Sequence, residues 1–113
     1  MKKYAPFFAL ALSLLITSCL INNPQPENCY VEIEEIINIQ EGVFKDIVFS
    51  DADGDHYYIN RGLERGLNLD ILNAKVLNKT VTLHLPKLVG GLVTSEYIAQ
   101  LTVGDDIIFT EFD

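Results

Sequence analysis

Asn68-Leu-Asp-Ile-Leu-Asn-Ala-Lys-Val-Leu-Asn-Lys-Thr-Val-Thr-Leu-His-Leu85 is the stretch in which one periodicity hands over to another. Leu69, Leu72 and Val76 recur at i, i+3 and i+7, the spacing of a short amphipathic helix that runs to about Leu77. Asn68 is suited to cap its first turn, and Asp70 complements the helix dipole there. Asn78-Lys79 ends it. Over residues 80–86 the period falls to two: Val81, Leu83 and Leu85 share one face, Thr82 and His84 the other.

Toward the N-terminus, residues 30–40 carry Val31, Ile33, Ile37 and Ile39 at even spacing, which predicts a first strand. Residues 43–50, dense in β-branched and aromatic types, predict a second. Asp53-Gly54 supplies a hairpin turn, and His56–Asn60 returns as a third. Gly62 and Gly66 bracket a loop. Beyond the helix, Gly90-Gly91 breaks the chain, and residues 97–103 alternate through Tyr97, Ala99, Leu101 and Val103. Gly104-Asp105 turns into Ile107–Phe112. The expected order is β-β-β-α-β-β, with a sixth strand admitted at the C-terminus. A helix between the third and fourth strands resembles the layout of OB-type barrels, so a mainly β, small OB-like antiparallel barrel is expected over residues 30–113. Ile59-Asn60-Arg61-Gly62 is similar to a run in small lipoprotein domains, and no function travels with that likeness.

The first nineteen residues have a different character. Lys2 and Lys3 precede an uncharged apolar run from Tyr4 to Ile16, and small residues then lead into Cys19. That is the layout of a cleaved secretory signal. The closing Ile16-Thr17-Ser18-Cys19 resembles the lipobox of bacterial lipoproteins. The resemblance implies removal of residues 1–18, acylation of Cys19 and permanent membrane attachment. Read instead as a membrane helix, residues 4–21 are of borderline length for about 30 Å of hydrocarbon, and no basic stop-transfer cluster follows them. With Leu20 rather than Asp after the cysteine, the resemblance implies the outer membrane as the default location, and with no acidic run after Cys19 it favours the periplasmic face. Residues 19–29 form the lipidated cysteine and a tether, in which Pro24 and Pro26 prevent regular pairing.

The chain has formal charge −8, and loss of Lys2 and Lys3 with the signal lowers it to −10. Such a domain repels phosphates, so nucleic acid is a poor partner and a basic protein or a cation a better one. With 49% hydrophobic residues it is nevertheless a globular domain. Once Cys19 is lipidated, Cys29 is the one remaining thiol. It is expected to be semi-exposed at the head of the first strand, either free or in an intermolecular disulfide.

Asp51-Ala-Asp53-Gly-Asp55 offers three carboxylates in five residues, a weak calcium candidate. Glycine stands at its fourth position rather than the sixth, and no glutamate stands at the twelfth, so an EF-hand is excluded and an exposed turn preferred. Tyr57, Tyr58, Asn60, Arg61 and Arg65 form the candidate recognition surface, since two arginines beside phenol and amide groups suit carboxylates or sugar hydroxyls. His56 and His84 lie on different strands without metal-ligand spacing, and His84 is expected to be solvated. Neither Ser50 nor Ser95 sits in a G-x-S-x-G elbow or has a histidine close by in sequence. No cofactor and no catalytic residue is indicated. The expectation is a non-catalytic, membrane-anchored binding or accessory lipoprotein. The alternative is an inhibitor or immunity lipoprotein that neutralises a basic envelope-attacking enzyme.

Overall fold

The computed structural model describes residues 24–88 and 93–113. The expected signal 1–18, the lipidation residue Cys19, the first residues of the tether and the Gly90-Gly91 break lie outside the described residues.

The fold is organised by one long strand with two partners. β1 (Cys29–Glu41) pairs antiparallel through its first half with β4 (Thr80–Leu88), from Cys29 opposite Pro86 to Glu35 opposite Thr80. Its second half pairs antiparallel with β2 (Ile47–Asp51), from Ile36 opposite Asp51 to Glu41 opposite Ile47. The change of partner coincides with a register shift between Ile36 and Asn38. An extra residue at such a point bends the strand and raises its twist.

β2 continues into the hairpin partner β3 (His56–Ile59). On the other side, β4 pairs with β6 (Gln100–Val103), β6 with β7 (Asp106–Thr110), and the two-residue β5 (Val93–Thr94) with the end of β4. The sheet order is therefore β3-β2-β1-β4-β6-β7, with β5 off that path. A mainly β antiparallel sheet with one short helix is what the sequence predicts. β5 was not expected, because two residues carry no periodicity to read.

The strand ladders do not close on themselves: β3 and β7 are the two ends of the path. One parallel bridge approaches closure. Tyr58 N–H donates to Glu96 C=O (3.0 Å), and Ile98 N–H donates to Tyr58 C=O (2.7 Å), which joins β3 to the residues entering β6. It also corrects the expected 97–103 alternation. Tyr97 turns outward while Ile98 and Ala99 are both buried, and regular strand begins only at Gln100.

Two further sequence expectations are corrected. Residues 43–45 form a 3-10 turn instead of opening the second strand, with Phe44 and Lys45 at φ 53° and 68°. The turn closes through Gly42 N–H to Asp46 C=O (2.8 Å), so the strand starts at Ile47. In β1, of the four evenly spaced apolar residues, Ile39 alone is buried. Ile36 and Ile39 are buried, whereas Val31, Ile33 and Ile37 are exposed, Ile33 by 69%. Glu32 and Glu34 stand opposite the fully buried Leu83 and Val81, and directly opposed residues share a face. The inner face of the first half of β1 is thus acidic.

The helix α1 (Leu69–Val76) behaves as predicted. Asn68 Oδ1 accepts from Asp70 N–H (2.7 Å) and Ile71 N–H (3.2 Å), and Leu72 and Val76 are buried. Its end is fastened to the bend in β1: Asn78 N–H donates to Ile36 C=O (2.6 Å), and Ile36 N–H to Lys79 C=O (3.1 Å). Leu72 and Val76 then complete a core with Ile36, Ile47, Phe49, Ile59, Leu83 and Leu101.

Candidate functional site

The chemistry of the chain gathers where the β2–β3 hairpin meets the acidic inner face of β1. Asp51 ends β2, and the turn passes through Gly54 at φ +89°, a conformation that favours glycine. Asp51 Oδ1 accepts from the main-chain N–H of Asp53 (3.0 Å) and of Asp55 (2.9 Å). These bonds hold the hairpin and fix the carboxylate, which is only 2% exposed. Its second oxygen, Oδ2, is buried and has no hydrogen-bond partner.

Ile36 is the cross-strand partner of Asp51, so Glu34, two residues earlier on β1, lies diagonally beside it. One carboxylate oxygen from each of Glu34, Asp51 and Asp53 lies within 4.8 Å of the others. Burial, followed by the hydrogen bond that the protonated Glu34 carboxyl donates to the Asp51 carboxylate and by repulsion from Asp51, Glu32 and Asp53, pushes the Glu34 carboxyl up to about 7. The weak candidate trio Asp51, Asp53 and Asp55 is therefore regrouped, and Asp51 is buried rather than part of an exposed turn. Asp55 serves the cluster through its main chain, and Glu34 takes the third place. Glu34 was missed because an acidic residue in an alternating strand reads as outward-facing.

A second group adjoins the first. Tyr57 is buried, and its hydroxyl donates to Glu32 Oε2 (3.0 Å). Burial and the Glu32 carboxylate hold that phenol well above its usual range. Next to it opens a cleft of about 250 Å³, lined by Glu32, Asp55, His56, Tyr57, Leu85, Thr94, Ser95 and Glu96. Three of these residues are acidic and none is a lysine or arginine.

The hairpin also brings together a pair that sequence reading passed over. Ser50 and His56 are cross-strand partners, and Ser50 Oγ lies 2.8 Å from His56 Nδ1. The six-residue spacing around a hairpin turn was the available signal. A nucleophile–base pair also needs a group that orients the base and donors for the developing oxyanion. Among the described residues, the hydrogen bonds provide His56 with no such carboxylate. His84 is not solvated as expected: Phe112 covers it edge-on at 5.5 Å, and its buried Nδ1 has no partner.

The five residues of the expected recognition surface are dispersed. Tyr57 faces inward, whereas Tyr58 packs on Tyr97 with ring centroids 5.7 Å apart. Asn60 is exposed at the end of β3. The Arg61 guanidinium pairs with Glu64 at 3.4 Å, and its main-chain N–H donates to the buried Asp46 (2.8 Å). Arg65 pairs with Glu111 at 3.1 Å and lies over the Phe109 ring. Both arginines thus have local partners. Cys29 is buried at 8% exposure, a correction to the semi-exposed position expected for it. Burial raises its thiol pKa, and its Sγ lies 3.4 Å from Gln25 C=O.

No family model matches the chain, and no curated protein or solved structure shows significant similarity to it. Among the described residues, no helix is long and apolar enough to cross a membrane.

Proposed function

We propose that the chain is a non-catalytic, lipid-anchored binding module of the bacterial envelope, whose acidic cleft receives a basic group of a partner protein. The observation that carries this reading is the cleft itself: Glu32, Asp55 and Glu96 line it without a lysine or arginine among them. In a domain of such negative charge, the cleft focuses the field and steers a basic partner toward it. The anchor is supported by the lipobox-like Ile16-Thr17-Ser18-Cys19; Leu20 in place of Asp favours the outer membrane, and the lack of an acidic run directly after Cys19 favours its periplasmic face. An OB-like barrel is supported by the sharing of β1 between β2 and β4, by α1 between β3 and β4, and by the parallel bridge at Tyr58.

The test is capture from detergent-solubilised envelope by the full-length chain, beside the Asp55→Asn plus Glu96→Gln variant. Glu32 stays because it holds Tyr57. The expected result is a basic protein retained by the wild type at low salt, lost with added salt and lost in the variant. Equal retention by both chains would overturn the cleft as the binding surface.

The net charge also favours a second reading, in which the partner is a basic envelope-attacking enzyme and the chain its inhibitor. Protection of cells against such an enzyme by the wild type, and not by the variant, separates this reading from an accessory role.

A further inference from the structure

We propose that Glu34, Asp51 and Asp53 form a binding site for a hard divalent cation, calcium foremost, at the junction of β1 with the β2–β3 hairpin. The site is distinct from the basic-partner cleft and does not depend on that reading.

Three observations converge on it. The first is geometric. Calcium takes carboxylate oxygens at about 2.3–2.6 Å, so ligands on opposite sides of the ion stand about 4.6–5.2 Å apart and adjacent ones closer. One oxygen from each of the three residues falls within 4.8 Å of the other two. The second is the unpartnered oxygen. Asp51 is almost wholly buried, and the hairpin amides occupy its Oδ1, while Oδ2 is buried and receives no N–H or hydroxyl hydrogen bond. Beyond the hairpin amides, the Asp51 carboxylate can therefore accept only from the Glu34 carboxyl when that is protonated. A buried carboxylate oxygen without a partner costs folding free energy, and a coordinated cation removes that cost.

The third is the lack of any built-in counter-charge. The ion pairs among the described residues are Arg61–Glu64 and Arg65–Glu111, and neither touches this cluster. Glu32 adds a further acid on the same strand face. Asp51 is positioned by main-chain bonds and Glu34 by strand register, so the ligands are arranged before any ion arrives. Asp53 is exposed, which leaves a path for entry and room for water to fill the remaining coordination positions.

The test uses the full-length chain in detergent micelles, stripped with EDTA and titrated with calcium chloride at pH 7.5 by calorimetry and thermal melting. Magnesium chloride and sodium chloride of matched ionic strength are run in parallel. The expected result is one saturable calcium per chain, with Kd on the order of 10⁻⁴–10⁻³ M as in other weak extracellular sites. The melting temperature should rise with calcium beyond the sodium chloride control. Glu34→Gln and Asp53→Asn should each weaken binding at least tenfold, whereas Asp55→Asn should change it less than threefold. Asp53→Asn keeps the main-chain bond to Asp51 and leaves the hairpin folded, so the test survives if another variant does not fold. The proposal is overturned if calcium gives no saturable heat, or if Asp55→Asn weakens binding as much as Asp53→Asn.

Discussion

Gly62 shows how a single side-chain position constrains this fold. It follows Arg61, which is held at φ 52° by the bond from its N–H to Asp46, and it lies against the core. A Cβ added there would meet Ile47 Cδ1 at 2.5 Å, Ile47 Cγ1 at 2.8 Å and Ile59 Cγ2 at 3.1 Å. Gly62→Ala should therefore destabilise the chain by about 1–3 kcal/mol, the usual cost of overpacking. Ile47→Val removes Cδ1, the nearer of the two Ile47 atoms, and relieves that part of the overlap, so the double variant should lose less than the sum of the two single losses. Simple additivity in denaturant melts would refute the steric account. In the sequence Gly62 reads only as a loop boundary, because nothing local reveals that Ile47 packs over it. Asp51, Asp53 and Gly54 were legible as a turn from their residue types. Glu34 was not, since its place beside Asp51 depends on the bend in β1 and on pairing with a distant hairpin.

At the scale of elements, legibility follows the clarity of the period. α1 and β4 carry their periods without interruption, and Leu72, Val76, Val81, Leu83 and Leu85 are all buried as expected. β1 misleads because it has two partners. The register shift after Ile36 changes which residues face the core, and no local pattern announces it. The helix cap offers a quantitative check of the legible part. Asn68 Oδ1 satisfies two otherwise unpaired N–H groups of α1, so Asn68→Ala should cost about 1 kcal/mol. In a domain of this size that corresponds to a fall of about 4–8 °C in melting temperature. Asn68→Asp, which keeps the acceptor and adds charge favourable to the dipole, should retain most of the stability. A loss in Asn68→Asp as large as in Asn68→Ala would show that the cap hydrogen bonds are not what matters at this end.

For the whole molecule, the excess of acid and its placement set the dependence of stability on pH. Most of the negative charge lies on exposed loops and strand faces, where solvent screens it. Glu34 differs because it stands on an inner strand face among Asp51, Glu32 and Asp53, and its carboxyl is raised from an ordinary value near 4.5 to about 7. A carboxyl whose folded-state value lies above its unfolded value binds its proton more tightly in the folded chain. Its stabilising contribution is full below about pH 4.5 and is lost as the pH rises through about 7. In EDTA, the contribution of Glu34 should therefore make the melting temperature fall between pH 5.5 and pH 8. Glu34→Gln, neutral throughout, should flatten that slope and melt higher than the wild type at pH 8. The same slope in both chains would place the pH dependence elsewhere in the acidic surface. Calcium should act on the wild type in the same direction as the proton, raising the melting temperature most at pH 8, where the carboxylate is free to bind it. In Glu34→Gln that pH-dependent gain should largely disappear, because proton and cation would compete for the oxygens that β1 and the hairpin bring together.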